Sequence, residues 1–67
     1  MTLGERIKTR REELGWTRKK LSYKSGIHAG LIGYYEKDKV EPSFFNAIVL
    51  ADTLKVSLEY LAGKGKV

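Results

Sequence analysis

The sequence predicts an all-α domain: five short helices joined by tight turns. Apolar residues recur at intervals of three and four. Thr or Ser precedes most of these segments, and Gly or a Pro-bearing connector follows them. No stretch alternates apolar and polar residues over the length of a strand, and there is no repeat or low-complexity segment.

The elements follow in order. Thr2 opens the first helix, and Glu5 three residues on completes a capping box. Leu3, Ile7 and Leu14 lie at helical spacing, and Gly15 supplies the left-handed stop. Thr17 caps a second helix, "RKKLSYKS", anchored by Leu21 and ended by Gly26. Ile27 follows, and a third helix is expected from about His28 to Lys37, with Leu31, Ile32 and Tyr35 on its inner face. Pro42 pushes the residue before it away from helix, so the fourth helix starts later, with Ser43 as cap and "FFNAIVLADTL" as body. Its inner stripe is expected to be Phe44, Ala47, Ile48, Ala51 and Leu54. Ser57 caps a final helix, "LEYLA", closed by Gly63. Residues 1–63 are read as one domain and 64–67 as a fraying tail.

Composition narrows the function. The chain has 67 residues and no cysteine, which fits a reducing compartment. One histidine and no cysteine make a metal cage improbable, and no cofactor or small-molecule site is evident. No apolar run approaches the ~20 residues that span a bilayer, and the charged N-terminus is not followed by a secretion signal's apolar segment. A cytoplasmic protein without a membrane partner is expected. The net charge is +5, and all the excess lies in residues 1–40, with ten Lys/Arg against five Asp/Glu. Residues 41–67 hold three of each. That asymmetry fits a polyanion, nucleic acid above all; on charge alone, a solvated basic face fits equally well.

The two helices around Gly26 form a helix-turn-helix unit: a short helix, a glycine turn, then a helix crossing it steeply. Leu21 and Ile32 meet across the turn, Ile27 fills the elbow, and the second helix of the pair stands where a major groove can accept it. From Leu3 to Gly63 the chain resembles the phage-repressor and Cro-type helix-turn-helix domain, a lambda-repressor-like five-helix bundle. The matching positions are Ile7, Arg11, Gly15, Leu21, Gly26, Ile32, Glu36, Pro42, Leu50, Ala51, Leu54, Val56, Ser57 and Leu61. The resemblance implies that helices 2 and 3 read double-stranded DNA, that dimers bind an operator, and that Arg11 and Glu36 pair across the fold. Two independent solvated charges are the alternative for that pair.

The start of helix 2 breaks a local rule. Three cations, Arg18, Lys19 and Lys20, follow the Thr17 cap. Each costs roughly 0.3–1 kcal/mol at the positive end of an exposed helix. A phosphate there reverses the sign, so Thr17, Arg18, Lys19 and Lys20 are candidate phosphate contacts. Cations that snorkel into water are the bland alternative. In the family the residue at 18 is often a glutamine touching phosphate. The resemblance also implies a backbone grip by Lys37 and Lys39. Asp38 stands where the family often has glycine, and Arg10 where it has an apolar residue, so its head snorkels or helix 1 is rotated.

By the same resemblance His28, Ala29, Gly30, Gly33 and Tyr34 occupy the base-contact positions. Only His28 and Tyr34 can hydrogen-bond through their side chains, and each glycine costs the helix roughly 1 kcal/mol against alanine. Three readings stay open: close approach in the groove with Ala29 on a thymine methyl, binding by charge alone, or a helix that faces protein. Trp16, Tyr35 and Tyr60 read as core, and Tyr23 as outward-facing. Phe45 and Val49 form an apolar patch that suggests a homodimer. The leading function is a sequence-specific, repressor-like transcriptional regulator. The alternative is a protein-interaction or antitoxin-like module on the same fold. An enzyme is not expected, because no nucleophile–base pair or phosphate loop is present.

Overall fold

The computed structural model describes residues 1–64. Its helices are α1 (Leu3–Glu13), α2 (Arg18–Ser25), α3 (Ala29–Glu36), α4 (Phe44–Leu54) and α5 (Leu58–Leu61). Residues 65–67 of the expected tail lie outside the described residues; Lys64 donates its backbone N–H to the Glu59 carbonyl at 2.9 Å. No helix among the described residues is long and apolar enough to cross a membrane.

Side-chain capping sets the helix starts. Thr2 and Glu5 form the reciprocal box of α1. Thr17, Ser43 and Ser57 each accept from the backbone N–H three residues on, at 3.0, 3.1 and 2.9 Å. Gly15 and Gly26 end α1 and α2 at φ 74° and 77°, where a Cβ would meet the following carbonyl.

Each helix contributes to one core: Ile7 from α1, Leu21 from α2, Ile32 and Tyr35 from α3, Leu50, Ala51 and Leu54 from α4, Leu61 from α5. Ile27 seals the elbow between α2 and α3. Fully burying a side chain of this size stabilises by roughly 1.5–3 kcal/mol. Trp16 packs against the core only partly, and Lys24 Nζ sits 5.1 Å from its ring centroid.

The buried stripe of α4 differs from the expected one. Leu50, Ala51 and Leu54 are buried, whereas Phe44 and Ile48 face outward. An α-helix that is apolar nearly all round carries little information about its own rotation. Contact with the rest of the core decides it. Arg10 reaches α4 in a way that settles its departure from an apolar residue: its Nε donates to the Leu54 carbonyl at 2.9 Å. A cation at the C-terminal end of a helix complements the partial negative charge there.

Asp38 closes the fold at the other end of α1. It adopts φ 58°, a conformation that aspartate tolerates better than most residues. Its carboxylate accepts from the Gly4 N–H at 3.0 Å and the Thr2 hydroxyl at 2.6 Å. It thus satisfies free donors at the positive end of α1 and ties that end to the exit of α3.

Candidate nucleic-acid interface

α3 crosses α2 after the Gly26–Ile27 elbow, with Ile32 and Tyr35 turned into the core. The Tyr35 hydroxyl accepts from Asn46 Nδ2 at 3.0 Å, which fixes α3 against α4. The opposite face carries His28, Gly30 and Tyr34, all exposed, with Ala29 and Gly33 half-buried beside them. His28 caps α3: its Nδ1 accepts from the Gly30 N–H at 3.0 Å. The ring proton therefore sits on Nε2, which remains the side-chain donor. Tyr34 keeps its hydroxyl on the outside.

The start of α2 flanks this face. The Thr17 hydroxyl accepts from Lys20 N–H, so its own proton is available to an anion. The first intrahelical bond of α2 runs from Leu21 N–H to the Thr17 carbonyl, which leaves the N–H groups of Arg18 and Lys19 for a phosphate. Lys19 and Lys20 are exposed and make no ion pair among the described residues. Lys37 and Lys39, also exposed, stand at the exit of α3.

Behind the face lies a buried carboxylate held by two arginines. Arg11 Nε and Nη2 donate to the two oxygens of Glu36 at 2.7 and 3.1 Å. Arg11 Nη1 donates to the Trp16 carbonyl at 2.7 Å. The Glu36 side chain is 1% exposed. Its hydrogen bond raises the Arg11 pKa above the ordinary guanidinium value, against burial, which lowers it. The third contact was not legible in the sequence: Arg18 Nε donates to Glu36 Oε1 at 3.0 Å. Two guanidinium groups on one carboxylate leave the site a net cation.

The outward apolar surface also differs in membership from the expected patch. Phe45 is exposed, but Val49 is half-buried and packed on the core. Phe44, Ile48 and Val40 are exposed with Phe45 instead. Val49 loses its place because the rotation of α4 that buries Leu50 and Leu54 also draws it inward.

Two short helices joined by a glycine elbow, with an exposed outer face on the second, cations at both ends and a buried Arg–Glu tie behind it, define a helix-turn-helix domain. The chain belongs to the helix-turn-helix family, whose model matches residues 7–61. It is 34% identical over all 67 residues to the HTH-type transcriptional regulator ImmR of Bacillus subtilis (strain 168). The chain spans 53% of that relative's length. Among solved structures it resembles the P22 c2 repressor protein in complex with a synthetic operator, at 31% identity and TM-score 0.87. That match covers 91% of this chain and 92% of the other. It also resembles the solution structure of the P22 c2 repressor DNA-binding domain, at 32% identity and TM-score 0.89. Here the coverage is 97% and 84%. The five-helix fold is that of repressor DNA-binding domains.

Proposed function

We propose that residues 1–63 are the sequence-specific DNA-binding domain of a repressor-like transcriptional regulator. α3 enters the major groove of double-stranded DNA, and the domain binds as a homodimer. The observation that carries this reading is the exposed outer face of α3, with Lys19 and Lys20 on one flank and Lys37 and Lys39 on the other. Four lysines per protomer make eight for a two-fold dimer. Neutralising that many phosphates lowers affinity by roughly 10³–10⁵ between 50 and 200 mM salt.

Selection from a randomised duplex pool at moderate salt, followed by sequencing, tests the reading. A palindrome with half-sites about 34–36 Å apart is the expected result. Tyr34→Ala is expected to change which bases are enriched. A flat pool from the unmodified protein would replace this reading with a protein-interaction module.

The dimer is read from Phe44, Phe45 and Ile48, which bring their side chains to one exposed flank of α4. Burying Phe45 against a second copy is worth about 1.5–3 kcal/mol per side, so a buried charge there is decisive. Phe45→Glu is expected to convert a dimer to a monomer in sedimentation equilibrium, with the melting temperature of the monomer unchanged. A variant that sediments as the unmodified protein does would place the interface elsewhere.

A further inference from the structure

We propose that Arg18, although it belongs to α2, reads a base beside Tyr34: it supplies a long side chain where the outer face of α3 has only Gly33. The proposal rests on the DNA-binding reading above and names a specificity-determining residue within it. Between the exposed His28 and Tyr34 the outer face of α3 carries only Ala29, Gly30 and Gly33, which leaves a gap without a long side chain. Arg18 crosses that gap. Its Nη1 lies 3.8 Å from the point where a side chain on Gly33 would begin. Its Nε is bonded to Glu36 Oε1 at 3.0 Å. Glu36 is itself buried and clamped by two bonds from Arg11, so the anchor of Arg18 is fixed from behind. The Arg18 side chain is nonetheless 41% exposed.

A guanidinium held in this way differs from an ordinary phosphate grip. A phosphate asks for charge, which the neighbouring Lys19 and Lys20 supply from exposed positions. A guanine asks for a planar fork at a set orientation, with two parallel N–H groups on O6 and N7. The bond to Glu36 occupies Nε and leaves the Nη1 and Nη2 groups to form that fork. Part of the side-chain freedom that a loose arginine would lose on binding is already given up in the free protein. Gly33 is the complement: a long residue there would compete for the same space.

The experiment repeats the pool selection with Arg18→Lys and Gly33→Leu and adds affinity measurements on a non-specific duplex. Arg18→Lys keeps the charge and removes the fork. It is expected to lose a guanine preference at one position of each half-site, by roughly tenfold or more in discrimination. Its affinity for non-specific duplex is expected to fall far less than its discrimination does, because lysine keeps the charge that this affinity follows. Gly33→Leu, which leaves Arg18 in place but fills its seat, is expected to lose the same preference. Thermal melts of both variants report folding separately. An unaltered consensus in Arg18→Lys overturns the proposal and leaves the DNA-binding reading intact, as does a loss spread evenly over all positions. A flat pool from the unmodified protein overturns both.

Discussion

Replacing Glu36 by alanine is expected to lower the unfolding free energy by about 3–5 kcal/mol, the usual cost of removing one member of a buried ion pair. Domains of this kind are stable by only about 5–15 kcal/mol, and small ones bury a smaller share of their surface. The variant should therefore be largely unfolded at modest urea. The reason is what stays behind. Arg11 is 7% exposed, and without Glu36 its guanidinium keeps the Trp16 carbonyl and a 4.0 Å approach to Glu12, which is itself exposed. A charge out of water with one neutral acceptor is costly. Arg18→Gln is the internal comparison. It removes a contact to the same carboxylate from a half-exposed side chain, where solvent screens the pair, and should cost no more than about 1 kcal/mol. Urea unfolding followed by far-ultraviolet circular dichroism separates the two. Equal losses would mean that Arg18, and not Arg11, holds the carboxylate.

The pH dependence follows from the same group. The Arg11 pKa is raised in the folded protein. Its stabilisation is therefore present at every pH below the unfolded value and is lost only as pH climbs through the folded one. Unfolding curves at neutral pH and at about pH 10, still below the ordinary guanidinium value, should show no loss attributable to this pair.

The helix boundaries were legible because capping is local. Thr17, Ser43 and Ser57 announce the starts of their helices through bonds that span three residues. Gly15 and Gly26 announce ends through a backbone angle that other residues resist. The core was legible where spacing was sparse: Ile7 and Leu21 are apolar anchors on polar helices, and both are fully buried. α4 was not, since an excess of apolar residues permits several rotations. The long-range polar contacts were hidden for another reason. Asp38 to Gly4, Arg10 to Leu54 and Arg18 to Glu36 join residues 34, 44 and 18 apart. No periodicity within one helix encodes such a pairing. Asp38, Arg10 and Arg18 were visible only as departures from the family pattern. Each departure became a specific bond: a cap on α1, a donor for the end of α4, and a guanidinium over Gly33.

Gly4 left no such trace, and it carries the second large effect. It lies in the first turn of α1, where alanine would ordinarily improve a helix by about 1 kcal/mol. A Cβ at this position, however, would meet the Tyr35 carbonyl oxygen closer than any real contact. It would also stand 2.8 Å from the Glu36 carbonyl oxygen and 2.7 Å from Asp38 Oδ1. Two of these atoms are backbone at the last turn of α3 and cannot rotate away, so α1 or α3 must move. Forced overpacking of this kind costs about 1–3 kcal/mol, occasionally more, and the shift would also weaken the Asp38 bond to the Gly4 N–H. Gly4→Ala is therefore expected to be destabilising by roughly 2 kcal/mol net, the clash outweighing the gain in propensity. Gly33→Ala supplies the opposite sign on the same fold. Its Cβ would meet nothing nearer than Arg18 Nη1 at 3.8 Å, an ordinary contact. The propensity term then stands unopposed and the variant should gain up to about 1 kcal/mol. Chemical denaturation of the two variants side by side decides whether packing or backbone freedom governs each glycine. A stabilised Gly4→Ala would mean that α1 and the end of α3 do not approach as closely as their carbonyls require.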